Sequence, residues 1–212
     1  MVSKSSGTAQ GHPSRPQALR LYGRRVMLRP LVAPDFGSWS EIRRRNHDWL
    51  TVWEPLKTSF SPDPAVDRDA FTARCNMRDR DRQSGTGYSF GLFVDNQLAG
   101  EVNLNNVVRG ALQSGTIGYW IDEAKAGRAY VAEAVAVLFR YAFEQLGLHR
   151  VEICIIPRNQ NSHRVMEKLR IREEGVALRF LEINGVWEDH VRYGITAEEW
   201  HERADDFADE WF

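Results

Sequence analysis

The stretch Gly115–Leu169, GTIGYWIDEAKAGRAYVAEAVAVLFRYAFEQLGLHRVEICIIPRNQNSHRVMEKL, decides the fold. Thr116 to Ile121 is rich in β-branched and aromatic residues and reads as a strand. After a loop holding Gly127, apolar residues recur at Val131, Val135, Leu138, Tyr141, Ala142 and Leu146. That spacing predicts a helix from Tyr130 to Leu146, which Gly147 stops. Val151 to Ile156 is a compact apolar strand ended by Pro157. Asn159 then caps a second helix carrying Ser162, Val165, Met166 and Leu169. The loop Ala126 to Val131 opens the first helix, so its free amides lie at the positive end of the helix dipole and suit a phosphate or pyrophosphate. An ordinary βαβ unit with a capped helix has the same outline, because AGRAYV lacks a second glycine.

Working outward, Met1 to Ala18 is rich in Ser, Gly, Pro and Gln and reads as a disordered leader. Leu19 to Leu31 is a first strand or loose hairpin. Pro34 opens a helix with Phe36, Trp39, Ile42 and the run Arg43-Arg44-Arg45, which reads as a solvated face rather than a nucleic-acid contact. In the irregular segment Asn46 to Thr58, Trp49, Trp53 and Glu54 form either a binding wall or a core plug with a solvated carboxylate. Pro64 to Arg82 is a charged helix with Val66, Ala70, Phe71, Ala73 and Met77 on its apolar side. Tyr88 to Val94 and Leu98 to Val108 flank a turn at Asp95-Asn96, with Glu101 alternating with Val102 and Leu104 on the returning strand. Asn184-Gly185 is a second hairpin turn, between Val176–Ile183 and Trp187–Ile195. Thr196 to Phe212 reads as one acidic helix. Its stripe of Trp200, Ala204, Phe207 and Trp211 packs on the sheet in preference to a partner chain. Residues 19–212 then make one domain.

The 212 residues carry 28 Lys and Arg against 29 Asp and Glu, a formal charge of -1, so no global field favours nucleic acid or membrane. No apolar run is long enough to span a bilayer. Cys75, Cys154 and the six histidines show no metal-ligand spacing. GxSxG and Walker patterns are absent. Reduced thiols and the lack of a secretory signal fit a cytoplasmic protein.

The run Asn159-x-x-Ser162-x-Arg164-Val165-Met166-Glu167-Lys168-Leu169, directly after a strand and about thirty residues beyond the glycine loop, resembles the GCN5-related N-acetyltransferases (GNATs). Within them it is similar to the RimJ/RimL type, which acetylates protein N-termini, notably of ribosomal proteins. RRVMLRPLVAPDF near the start, Trp49 to Pro55 and GTIGYWID are similar to that type as well, so the resemblance runs from about Leu19 to Ile195. It implies an α/β domain whose mixed, mostly antiparallel sheet is splayed near its centre, with helices on both faces. The implied reaction moves acetyl from acetyl-CoA to the α-amine of a protein N-terminus beginning with Ala or Ser, by direct attack and without a metal.

The same resemblance assigns roles. The diphosphate sits on the amides of Ala126, Gly127, Arg128, Ala129, Tyr130 and Val131. The family pattern there is Gln or Arg, two residues, Gly, one residue, then Gly or Ala. This chain departs at all three places, with Ala126, Ala129 and Val131, and Arg128 is left to compensate through charge-assisted hydrogen bonds. The pantetheine arm pairs with Tyr119, Trp120 and Ile121, where a main-chain N–H also meets the thioester oxygen. Asn159 bonds the arm or simply caps its helix. Ser162 protonates the leaving thiolate or only bonds backbone. The residues themselves make Glu101 the first choice of base, as a strand carboxylate near the central sheet, and Glu54 the second, as base or as clamp for an ammonium; the other reading of each is an ordinary surface carboxylate. Trp49, Trp53 and Glu54 wall the acceptor side. An α-amine of pKa ~7.8 is neutral about once in seven at pH 7, so it asks little of a base. A small amine such as a polyamine or aminoglycoside, or a degenerate acyl-CoA-binding module, are the alternatives. Monomer and homodimer both remain open.

Overall fold

The computed structural model describes residues 19–56 and 62–212. The expected leader and the end of the 46–58 segment lie outside them. A short hairpin, β1 (Leu21–Tyr22) and β2 (Val26–Arg29), is followed by a 3-10 turn at Ala33–Asp35 and three helices, α1 (Phe36–Arg45), α2 (His47–Thr51) and α3 (Arg68–Ser84). Strands β3 (Tyr88–Val94), β4 (Gln97–Val108) and β5 (Ser114–Ile121) come next. Helix α4 (Tyr130–Arg140), strand β6 (Arg150–Ile155) and helix α5 (Gln160–Leu169) complete the central stretch. The hairpin β7 (Arg172–Ile183) and β8 (Val186–Thr196) leads to α6 (Ala197–Glu202) and α7 (Ala204–Trp211).

The strands form one sheet in the order β1-β2-β3-β4-β5-β6-β8-β7. Every pairing is antiparallel except β5 with β6, which are parallel neighbours near the middle. Both hairpin turns have left-handed residues at their two central positions, Asp95 (φ 51) with Asn96 (φ 61) and Asn184 (φ 46) with Gly185 (φ 82). That is the geometry Asn, Asp and Gly tolerate and that matches strand twist.

The parallel pair defines the molecule. Only Ser114↔Arg150, Gly115↔Val151 and Thr116↔Glu152 are in register. Beyond Thr116, β5 continues to Ile121 beside β4, while β6 stays paired to β8 through Ile155↔Val191. The two strands part, and among the described residues no strand pairs with the far half of β5 on that side.

Helix α4 is apolar on every face and buried from Val131 to Phe139, as a helix enclosed by other elements must be. It packs on β2, β4 and β5 and against α5 and α7. Its one buried charge, Glu133, accepts from the amides of Arg25 and Val26 and pairs with the Arg25 guanidinium at 2.8 Å. A Cβ on Gly23 would stand 2.7 Å from that carboxylate, so the β1–β2 hairpin needs glycine there. The helix extends past Arg140 as a wider π turn over Tyr141–Gln145 and ends before Gly147, at φ 60.

Four expectations change. The charged helix begins at Arg68, because Asp67 caps it by accepting from Asp69 N and Ala70 N, and it buries Phe71 and Cys75 while Val66 and Met77 are exposed. The arginine run is a solvated face only in part: Arg44 and Arg45 are exposed, Arg45 still reaching Asp122, whereas Arg43 turns in against Trp120. The C-terminal helix is two helices, broken at Arg203 (φ -118). Arg203 instead donates to Leu169 O (2.8 Å) and Arg170 O (3.1 Å), closing the carbonyl end of α5. The aromatic stripe packs within the chain, but on α4 and its π turn: Trp200 stacks on Phe143 and Phe207 meets Phe139 edge-on. Of the six histidines, His190 is buried, its Nδ1 3.0 Å from Glu188 O. No helix among the described residues is long and apolar enough to cross a membrane.

Candidate active site

The parting of β5 and β6 opens a cleft of about 400 Å³. Its walls are β5, the N-terminal end of α4, the first turns of α5 and the α2 segment. Main-chain direction along β5 follows from two bonds. Asp122 N donates to Ala99 O on the β4 side (2.7 Å), whereas Ile121 O points the other way and accepts from the Trp49 indole N–H at 3.2 Å. Successive residues of a strand alternate in this respect, so the N–H of Ile121 and both polar groups of Tyr119 face the cleft. This is an unpaired strand edge in the middle of a sheet.

At the cleft's end the loop Ala126–Ala129 turns into α4. Its start is anchored by Asp122, which accepts from Asn46 Nδ2 (2.9 Å) and pairs with Arg45 (2.5 Å). Burial pushes the Asp122 carboxyl up, but Arg45 and Asn46 outweigh it and hold the group below the usual carboxylate range. Gly127 (φ 76) and Ala129 (φ 63) are both left-handed, the second being the place where the family pattern has its central glycine. The first helical amide to find a carbonyl is Glu133 N, on Ala129 O at 3.0 Å. The N–H groups of Tyr130, Val131 and Ala132 therefore end the helix without intrahelical partners.

Across the gap, Asn159 Oδ1 accepts from Ser162 N at 3.2 Å, which fixes the first turn of α5. The Tyr119 hydroxyl reaches over from β5 to Ser162 O at 3.4 Å, and burial pushes that phenol's pKa up, so it stays a neutral donor. Asn159, Asn161, Ser162, Arg164, Val165 and Lys168 all line the cleft. Their spacing puts them on one helical face, so the cationic pair Arg164 and Lys168 was within reach of sequence reading, as was Lys125 in the loop. Neither they nor Asn161 is given a role in the sequence reading above.

Trp49, Trp53 and Glu54 line the cleft on its α2 side. Glu54 is committed: Arg43 Nη1 and Nη2 hold its two oxygens at 2.7 and 2.6 Å. The same guanidinium stacks over Trp120 at 5.1 Å. Arg158 lies over Trp53 at 4.8 Å and pairs with Glu188, while Asn184 N donates to Glu54 O, tying this wall to the β7–β8 hairpin. Sequence gave no signal for these partners, which lie up to about 130 residues apart.

Every residue expected at the site lines this cleft except Glu101. Glu101 is 1 % exposed on the α1 and α3 side of the sheet. Its Oε1 accepts from the Trp39 indole and its Oε2 pairs with Arg74 at 2.6 Å. Two strong donors occupy the carboxylate that was the first choice of base.

An unpaired strand edge, free helix-start amides and flanking cations make a receptor for an extended, amide-containing chain ending in phosphates. Residues 25–172 match the family model for the acetyltransferase (GNAT) domain. The chain belongs to the GNAT family. It is thus an acyltransferase, and its splayed sheet is the GNAT sheet. Among its GNAT relatives, a probable N-acetyltransferase of Bacillus subtilis, YjcK, is 36% identical over 80% of this chain and 93% of its own length. The ribosomal protein uS5-alanine N-acetyltransferase of Escherichia coli is 28% identical over 90% and 97%. The GNAT fold of Mycobacterium smegmatis RimJ, solved in complex with CoA-disulfide, superposes with a TM-score of 0.79 at 30% identity, covering 92% of this chain and 97% of that one.

Proposed function

We propose that this GNAT chain moves acetyl from acetyl-CoA to the α-amine of a protein N-terminus, with a ribosomal protein beginning in Ala or Ser as the acceptor. Such an acceptor places the reaction in the cytoplasm. The observation that carries the choice of acceptor is the charge of the cleft. Among its described lining residues Glu54 alone is acidic, and Arg43 already holds both its oxygens. A polyamine or aminoglycoside needs several free carboxylates; a single N-terminal amine on a peptide needs none. The 28% identity to the uS5-alanine N-acetyltransferase supports the same acceptor class.

The residues fit acetyl-CoA. The amides of Tyr130 to Ala132, with Lys125, Arg128, Arg164 and Lys168 around them, hold the phosphates. The outward groups of Tyr119 and Ile121 pair with the pantetheine amides as an added strand, and the Nδ2 of Asn159, not used in capping, donates to the same arm. The thioester supplies an activated acyl group. A β5 N–H facing the gap offers a hydrogen bond to the negative charge that builds on the carbonyl oxygen. The amine nitrogen bonds to the carbonyl carbon as the C–S bond breaks. Ser162 hands a proton to the departing sulfur, and water takes the proton the amine loses, since an α-amine of pKa ~7.8 is already partly neutral. Glu101 positions Trp39 and Arg74 behind the acceptor wall and leaves the proton to solvent.

The deciding experiment is a thiol-release assay with acetyl-CoA and three acceptors: Ala- and Ser-starting peptides, the same peptides blocked at the α-amine, and spermidine. Turnover is expected with the free peptides alone. Faster turnover with spermidine, or none with any peptide, would reject the assignment.

A further inference from the structure

A second cavity, about 620 Å³, shares no lining residue with the acetyl-transfer cleft. It lies between α3, the β2–β3 strands and the turn Pro30–Ala33. We propose that this cavity binds a small organic anion, a phosphate or carboxylate carried on an apolar body.

The argument is one of unmatched charge and unmade hydrogen bonds. Arg74, Arg78 and Arg82 recur every four residues on α3, which stacks three guanidinium groups along one face, an arrangement that repels itself. Arg74 is satisfied by Glu101 and by the face of Trp39 at 5.1 Å. Arg82 reaches Asp79, yet its Nε is buried without a partner. Among the described residues the Nε of Arg78 is buried without a partner too, and the side chain's hydrogen-bond partner is Asn105 Oδ1, at 3.3 Å. Burial and the neighbouring Arg74 lower the Arg78 pKa, the opposite of what an ion-paired arginine shows. The Ser89 hydroxyl is a third buried atom without a partner. Arg20, exposed at the rim, makes no ion pair among the described residues, whereas Arg29 is matched by Asp35.

Five buried side-chain polar atoms lack partners among the described residues, and three of them face this one cavity. The rest of the chain does not hold the missing charge: residues 1–18 and 57–61 contain no Asp or Glu. An ammonium group would be repelled here, so the cavity is no second entrance for the amine. Leu31, Val32 and Phe90 give it an apolar side, which favours an anion with a hydrocarbon part over a bare ion.

The test follows the arginine Nε–H resonances in nitrogen–proton correlation spectra of the full chain, with Arg78→Lys and Arg82→Lys identifying each signal. Inorganic phosphate, phenyl phosphate and benzoate are titrated separately. The Arg78 and Arg82 signals are expected to move together and saturate, at lower concentration for an aromatic anion than for phosphate itself. Whether phenyl phosphate or benzoate saturates first distinguishes the two headgroups. Arg20→Glu, on the surface and harmless to the core, should weaken the binding about tenfold. Signals that stay fixed with all three anions overturn the proposal. So does an unchanged affinity in Arg20→Glu, or a response confined to Arg128 and Arg164, which would put the anion in the acetyl-transfer cleft.

Discussion

Ala129 sits in a backbone region that costs an L-residue with a Cβ about 1 kcal/mol or more. It does so at φ 63, at the N-cap of α4, where a glycine would be relaxed. Ala129→Gly is therefore expected to raise Tm by about 3 °C and to tighten CoA binding, read by calorimetry and melting. A lower Tm would mean that the methyl group contributes packing that outweighs its strain. Asp122 gives a pH-dependent outcome. Its carboxyl is held below its unfolded value, so its contribution is full above the unfolded pKa of ~3.9 and is lost as pH falls towards the folded one. Asp122→Asn should flatten the acid limb of Tm against pH while leaving the neutral region's slope alone; two parallel acid limbs would clear Asp122 of that role. For Glu101→Gln the pH profile of kcat/KM should keep its wild-type form, with stability reduced because Arg74 loses its counter-charge. A low-pH limb that vanishes in this variant would reinstate Glu101 as the base. Asn159 and the Ala126–Val131 loop were legible in the sequence because capping and helix-start amides are local chemistry. The fate of Glu54 was not, since nothing local says which cation turns towards it.

At the level of elements, α5 does two jobs with one face. Asn159 and Ser162 meet the gap at its start, and Arg164 and Lys168 carry positive charge one and two turns on. Removing both charges, as Arg164→Gln with Lys168→Gln, is expected to weaken CoA about tenfold and to reduce the salt dependence of its affinity, measured by calorimetry at two ionic strengths. An unchanged salt dependence would show that the phosphates lean on the α4 amides alone. The other end of α5 is closed by Arg203. Both hairpins were readable because Asp-Asn and Asn-Gly name their turn type. The break at Arg203 was not readable, because arginine is a good helix former and leaves helical geometry here to satisfy carbonyls from another element. The start of α3 moved for a related reason: a capping aspartate, Asp67, overrode the proline three residues before it.

For the molecule as a whole, the proposed binding of CoA in the central gap is expected to couple to stability. CoA at about a hundred times its Kd should add ~2.7 kcal/mol to folding stability, seen as a rise in Tm that grows with CoA concentration. A Tm insensitive to CoA would contradict binding to the folded state. The architecture was legible because strand, loop, helix, strand, helix leaves few topologies. The second cavity was invisible in sequence, since Arg20, Ser89 and the α3 arginines converge through folding alone. The three-residue register between β5 and β6 carries a last consequence. A ladder abandoned halfway is sticky: its bare rungs accept any extended segment, including one from a sibling molecule. Trp49 stoppers one rung, on Ile121 O, and among the described residues no strand closes the rest. Preparations kept free of CoA should therefore clump sooner on warming than loaded ones, seen by light scattering; equal onset with and without CoA would show that the bare edge is harmless.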